Sequence, residues 1–374
     1  MKIRAAVLHQ MGAAAPYAHS RPLQIETLDL DPPGEGELLI EIRAAGVCHS
    51  DLSVVDGARP RPTPIALGHE AAGVVVQTGS GVHDIAVGDH VVLVFVPSCG
   101  HCIPCAQGRP ALCEPGATTN AQGSLSSGAV RLSFQGRPVH HHLGVSAFAD
   151  HAVVNRNSVV RIDPELPFEV AALFGCAAIT GVGAVLNTAQ VRAGSTVAVV
   201  GLGGVGLNSV LGARLAGART IIAIDLREEK LELARHLGAT SAFNATRSDC
   251  AAQVRELTAG GVDYAFEMAG STAALGLAWA ITRRGGQTVT AGLPPPDKLL
   301  SLPAFQLVGE ERTLKGSYLG GCVPVRDIPA YIALYRAGRL PVDRLMSQRI
   351  GLADLNEALD RLASGETVRQ LVVF

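Results

Sequence analysis

The tightest limit on the fold of this chain comes from one stretch, STVAVVGLGGVGL. A short run rich in β-branched residues leads straight into Gly201, Gly203 and Gly206 in G-x-G-x-x-G spacing, and an Ala/Leu-rich helical stretch follows. The same change of period recurs downstream: TIIAID reads as a second strand, EEKLELARHLGA as a second helix, and VDYAFEMAG and GGQTVTAGL as further strands. Strand alternating with helix at this spacing specifies βαβ units and a parallel sheet. The glycines, with Gly204 and Val205 between them, permit a tight turn and close approach of a pyrophosphate to the N-terminus of the next helix, whose free N–H groups and dipole attract anions. Asp225 closes the following strand about twenty residues on, where a carboxylate accepts ribose hydroxyls and repels a 2′-phosphate. NAD is therefore expected over NADP, although Arg227 and Lys230 are cations placed to accommodate that phosphate. The bland alternative is a doubly wound domain with no nucleotide.

With 374 residues the chain is long for one core, and a prior of about 150 residues per domain suggests two. Its texture agrees. The first third reads as short strands and turns (EGELLIEIRAAGVC, HEAAGVVVQTG), and the pattern becomes irregular again after Gly321. Helices are expected over DIPAYIALYRAG and LADLNEALDRLASG, and a last strand over VRQLVVF. The expected arrangement is a nucleotide-binding domain over 178–321 inserted in a catalytic domain made of 1–177 and 322–374. A formal charge of −2 with scattered basic residues gives no electrostatic reason to expect nucleic acid or an anionic membrane as partner. The N-terminus lacks a signal-like apolar stretch, and no eighteen-residue apolar run occurs, so a cytoplasmic location is expected.

Four of the eight cysteines crowd into a lobe at 97–115, as Cys99-x2-Cys102-x2-Cys105-x7-Cys113. In a reducing compartment that crowding reads as metal ligation. Four thiolates close a tetrahedral zinc shell and leave no position for substrate, so the set reads as structural; an iron–sulfur cluster is the alternative. His101, inside the motif, reads as a loop residue. A second, open set is Cys48 in GVCHSD, His69 in LGHEAAG and Cys176 in FGCAAITG. Two thiolates and an imidazole leave a fourth position for water or an alkoxide, the arrangement of a catalytic zinc. Each of the three alone would read as an ordinary core residue.

Taken in order, GVCHSD, LGHEAAG, the four-cysteine lobe, HHHLG, GLGGVGL, the Asp225 region and SGETVRQLVVF resemble the zinc-containing medium-chain alcohol dehydrogenases over essentially the whole chain. The likeness is closest to the animal and plant branch and to the glutathione-dependent formaldehyde dehydrogenases. It implies an α/β fold, with a GroES-like, mostly-β catalytic domain and a Rossmann doubly wound parallel sheet. It implies two zinc ions per chain: one on Cys48, His69 and Cys176, the other on Cys99, Cys102, Cys105 and Cys113. Asp51 would hold the His69 ring, Glu70 would lie behind the metal, and Ser50 would take the alcohol proton. His49 and Arg369 would contact the pyrophosphate, and Thr180 and Val205 would pack on the nicotinamide. Phe95, His142, Leu143, Leu293 and Tyr318 would border the substrate channel, favouring medium-sized or aromatic primary alcohols and their aldehydes. LLSLPAFQLV resembles the family's subunit-joining edge, so a homodimer is expected, or a tetramer.

The chain also departs from the family. Ser53 stands where the animal enzymes carry a relay histidine, and serine is no base near neutral pH. Arg59 and Arg61 replace the acidic residues of the glutathione-dependent branch, and CEPGATTN lacks its arginine, which argues against a glutathione adduct as substrate. The run His140, His141 and His142 reads as a turn, not a third metal site. A polyol or sugar dehydrogenase on the same fold, and a non-catalytic zinc protein, are the competing functions.

Overall fold

The computed structural model describes all residues, Met1–Phe374, and they form two compact units. The first comprises Met1–Cys176, Val323–Ile332 and Val342–Phe374; the second comprises Ala177–Cys322 and Ala333–Pro341. Sequence texture places everything after residue 321 with the first unit, and here the structure differs, because Ala333–Pro341 group with the second. The helix Pro324–Arg336 is continuous across that division, and an apolar periodicity cannot show where one helix changes allegiance.

In the first unit, Lys2–Leu8, Leu23–Leu30, Leu132–Phe134, Arg137–His141 and Ile65–Ala66 close into a small barrel. Inward-facing Ile3, Ala5, Val7, Leu28, Leu30, Leu132 and Val139 fill it, the period-2 pattern of a strand with one dry face. A seven-stranded sheet lies beside it, and its long central strand Glu37–Val47 pairs antiparallel with Glu70–Thr78, His151–Asn155 and the C-terminal Arg369–Val373. The pairing Gly46↔Glu70 matters for the site. A Cβ on residue 46 would lie 2.5 Å from Glu70 Oε1, so only glycine lets that carboxylate fold inward.

The second unit is a six-stranded, all-parallel sheet in the order Ser241–Asn244, Thr220–Asp225, Thr196–Val200, Val262–Glu267, Thr282–Thr290, Thr313–Gly316. In chain order this is 3-2-1-4-5-6, the doubly wound arrangement, with its switch point between the first and fourth strands. Two of the six strands escape the sequence reading. Ser241–Asn244 and Thr313–Gly316 are four-residue edge strands with no fully buried residue, so neither carries an apolar signature. No single helix in the chain is long and apolar enough to cross a membrane.

Candidate functional site

Cys48 follows the long strand Glu37–Val47 and caps the helix His49–Val55. Asp51, on the first turn of that helix, accepts the Cys48 N–H through Oδ2 at 3.1 Å, which closes the capping box. His69 stands just before the strand Glu70–Thr78, and Cys176 is the last residue of the first long segment of its unit. The ligand atoms of Cys48, His69 and Cys176 lie within 4.8 Å of one another, and all three residues are buried. The His69 ring is fixed from behind, its Nδ1 3.0 Å from Asp51 Oδ1, and from the side by Phe95, edge-on at 5.3 Å.

That arrangement leaves His69 Nε2 buried with no hydrogen-bond partner, beside two cysteine sulfurs. Charge converges here. Burial opposes ionisation of Asp51, yet the charge of His69 and the close approach of the His142 and His69 imidazoles hold its carboxyl down at about 2. Burial likewise opposes a charge on His69, and the Asp51 carboxylate overrides it, pushing the imidazole up to about 10. Hydrogen bonding from the Cys176 thiol, with the Arg369 guanidinium and His69, draws Cys48 well below the ordinary thiol range. A dry pocket that stabilises thiolate and holds a cation on His69 is a fit for Zn²⁺ on the same three atoms. Behind it, Arg369 lies 2.9 Å from Glu70 Oε2 and donates to the Val47 carbonyl at 3.2 Å. Arg369, the residue expected at a pyrophosphate, is buried there with its Nε unpartnered.

The lobe cysteines 99, 102, 105 and 113 also bring their sulfurs within 4.8 Å of one another. Backbone amides point at two of them: Cys102 N–H at Cys99 Sγ (3.3 Å), and Cys99 and Gly116 N–H at Cys113 Sγ (3.2 and 3.4 Å). Such donors favour thiolate: backbone hydrogen bonding draws Cys99 down to about 6, while burial outweighs it at Cys113 and pushes Cys113 and Cys105 up. The lobe fits a closed four-sulfur site.

In the second unit, Gly201 adopts φ +90°, and a Cβ on Gly206 would fall 1.8 Å from the Gly201 carbonyl. The first and third glycines are therefore sterically required. Gly203 has nothing within 4 Å on its Cβ side, so the turn faces open space where the helix Gly204–Leu215 begins. Asp225, at the carboxyl end of its strand, accepts N–H bonds from Leu202 (2.6 Å), Leu226 (2.8 Å) and Arg227 (3.1 Å). Its carboxylate is thereby tethered beside the glycine turn. These residues fit a dinucleotide. Thr180 is buried in the helix Ala177–Gly183, and Lys230 is half-buried in Glu228–Leu237.

The residues expected along the substrate channel belong to both units. Phe95 and Leu143 are buried in the first unit, while Leu293 and Tyr318 in the second are 49% and 39% exposed. His142 lies next to the ligand set. It is buried, its ring edge-on to His69 at 5.4 Å and its Nδ1 3.2 Å from Asp51 Oδ1. It is a neighbour of the metal set, because Ser146 Oγ accepts its N–H and itself donates to the Ala66 carbonyl. Nothing in the HHHLG string alone signals this. His49 is exposed and Ser50 half-exposed at the start of their helix; Ser53 donates its hydroxyl to the His49 carbonyl at 2.8 Å. Glu267 is a further residue the sequence reading missed. It is buried at a strand end, where it accepts from Ala269 and Gly270 N–H and the Thr290 hydroxyl, so it ties two loops of the nucleotide unit together. Its signal was an acidic residue closing the strand Val262–Glu267.

Residues 34–164 match the family described as alcohol dehydrogenase GroES-like domain, and residues 204–337 match zinc-binding dehydrogenase. The protein designated alcohol dehydrogenase D of Mycobacterium tuberculosis is 39% identical over 377 residues, covering all of both chains. S-(hydroxymethyl)glutathione dehydrogenase of Paracoccus denitrificans is 36% identical over 386 residues, again covering both completely. Among solved structures, benzyl alcohol dehydrogenase of Acinetobacter calcoaceticus superposes with a TM-score of 0.93 at 32% identity, over 100% of this chain and 99% of that one. With its buried two-cysteine, one-histidine set, its four-cysteine lobe and its doubly wound sheet, this chain belongs to the zinc-dependent medium-chain alcohol dehydrogenases.

Proposed function

We propose that this enzyme oxidises medium-sized or aromatic primary alcohols with NAD, and reduces the aldehydes, using one zinc on Cys48, His69 and Cys176 and a second on the lobe cysteines. The observation that carries the reading is the unpartnered His69 Nε2, buried between two cysteine sulfurs and braced by Asp51. When bound, zinc supplies Lewis acidity toward the substrate oxygen and NAD supplies the hydride acceptor.

The chain's own residues do the rest. Asp51 fixes the His69 tautomer, with the proton on Nδ1 and Nε2 left as ligand. Ser50, half-exposed on the first turn after Cys48, takes the substrate hydroxyl proton and passes it outward. Ser53 cannot serve as terminal base, since its hydroxyl is committed to the His49 carbonyl, so that proton ends on water or on a cofactor hydroxyl. Gly201, Gly203, Gly204, Val205 and Gly206 would cradle the pyrophosphate, with His49 and Arg369 as its cationic partners. Asp225 would hold the adenosine ribose, with Lys230 beside it, and Thr180 would pack on the nicotinamide. The likeness to a benzyl alcohol dehydrogenase supports aromatic substrates. Arg59 and Arg61 after the Ser50 helix argue against the glutathione adduct.

We further place the enzyme in the cytoplasm, where its two thiolate sets stay reduced, and assemble it as a homodimer through the sheet edge at Thr313–Gly316. All four residues of that strand are exposed, and Leu299, Phe305 and Val308 beside it in sequence are 89%, 78% and 83% exposed. Paired elemental and kinetic analysis tests the whole reading. The expected result is two zinc ions per chain, with NAD-linked turnover of benzyl alcohol at higher kcat/KM than ethanol. One metal or none would refute the two-site assignment. Turnover of sorbitol alone would make this a polyol dehydrogenase, and failure to bind NADH would make it a non-catalytic zinc protein.

A further inference from the structure

Asp51 is fully buried, and four donors surround its carboxylate. Oδ2 accepts from Cys48 N–H at 3.1 Å. Oδ1 receives Gly68 N–H at 3.2 Å and His69 Nδ1 at 3.0 Å, and His142 Nδ1 reaches the same oxygen at 3.2 Å. A carboxylate oxygen has two lone-pair sites, so three donors on one oxygen compete. His142 is the one left poorly aligned: its Nδ1 sits at hydrogen-bond distance without full hydrogen-bond geometry. It cannot turn away, because its backbone is pinned through Ser146 Oγ to the Ala66 carbonyl and its ring is wedged edge-on against His69. An Nδ1 lone pair aimed at a carboxylate oxygen at this range would be repulsive, so Nδ1 carries the proton and His142 is a donor.

We propose that His142 is a positioning residue that shares Asp51 Oδ1 with His69 and so tempers how strongly Asp51 polarises the metal-binding imidazole. A carboxylate behind a ligating imidazole raises its basicity and the affinity for metal. A second imidazole drawing on the same oxygen withdraws part of that support. The site then holds its metal less tightly, and the metal keeps more of its electron-withdrawing power for the substrate. The inference rests on the zinc reading of Cys48, His69 and Cys176, and concerns the tuning of that set rather than its identity.

The test is zinc release from the holoenzyme to a chromogenic chelator, without substrate, in His142→Phe, His142→Asn and His142→Gln. An asparagine amide nitrogen occupies the place of Nδ1, whereas a glutamine nitrogen falls nearer Nε2. His142→Phe and His142→Gln should slow release of the first zinc by about tenfold, the lower end of what outer ligand contacts achieve, and His142→Asn should stay within about twofold of the wild type. With a deuterated alcohol, the isotope effect on kcat should rise in His142→Phe while the KM for NAD is unchanged. Equal release rates in all four proteins, or Asn behaving like Phe, would overturn the proposal even if alcohol turnover is normal. Should Phe prevent folding, the Asn–Gln contrast decides alone. A wild type that retains no releasable zinc overturns both this inference and the metal assignment beneath it.

Discussion

Replacing Asp225 tests the cofactor reading where its chemistry is most exposed. The carboxylate sits at the carboxyl end of the strand Thr220–Asp225, tethered by N–H groups of Leu202, Leu226 and Arg227. Held there, it presents its remaining lone pair, on Oδ2, to whatever lies over the glycine turn. A hydrogen bond to an ionised acceptor contributes about 1.5–3 kcal/mol, or roughly 10- to 150-fold in binding. Asp225 is only part buried, so the lower end applies, and Asp225→Ser should cost about tenfold in kcat/KM for NAD. Removing the negative charge also relieves repulsion of a 2′-phosphate and leaves Arg227 and Lys230 to receive it. A gain of similar size for NADP would move the NADP:NAD ratio by about a hundredfold. The serine also loses backbone tethers, above all the short bond to Leu202, so loop disorder could imitate the loss of NAD. Asp225→Asn narrows the difference, because its amide oxygen keeps the Leu202 tether while the charge is dropped and only the Leu226 and Arg227 bonds are lost. Initial rates with both cofactors at saturating benzyl alcohol give the four ratios needed. If the ratio moves less than about threefold in both variants, or the wild type already uses NADP as well as NAD, the carboxylate does not set cofactor choice.

Two further outcomes follow from the fold. Burial draws the His141 ring down to about 4, whereas an unfolded histidine titrates near 6.5. Between those values the unfolded chain binds a proton the folded chain refuses, so stability falls as pH drops, by about 2 kcal/mol from pH 7 to 5. His141→Gln keeps an acceptor near Nε2 for the Arg131 N–H and cannot be protonated, so its urea midpoint should fall less than the wild type's over that range; parallel pH dependences would exclude His141 as the source. At the sheet edge, Phe305→Glu with Val308→Glu should yield a monomer by light scattering at micromolar concentration, and an unchanged mass for the variant would move the interface elsewhere.

The parallel sheet was legible where strands are buried on both faces. Thr196–Val200 and Thr220–Asp225 are nearly continuous β-branched runs because helices must cover them. The two edge strands were invisible for the converse reason: four half-buried or exposed residues satisfy their ladder with no particular side chains. The ligand sets were legible because zinc accepts so few residue types that spacing and identity nearly suffice. Pairings across hundreds of residues, such as Glu37–Val47 with Arg369–Val373, follow from shape complementarity that no local pattern encodes.

The three consecutive histidines show why even a conspicuous motif can hide its meaning. His140 and His141 end the strand Arg137–His141, paired in parallel with Ile65 and Ala66, and strand geometry must send their side chains to opposite faces. His141 is therefore buried neutral, with Nε2 accepting the Arg131 N–H, while His140 stays half-exposed beside Gly123. His142 falls just past the strand, where Ser146 turns the chain and delivers its ring to Asp51. Moving the strand by one position against both of its neighbours would exchange the faces of His140 and His141 and withdraw His142 from the carboxylate. Three identical letters thus take three roles, assigned by the register of one short strand against Ile65–Ala66 on one side and Leu132–Phe134 on the other. The contact between His142 and Asp51 belongs to that register, which is why it becomes visible only once the barrel is closed.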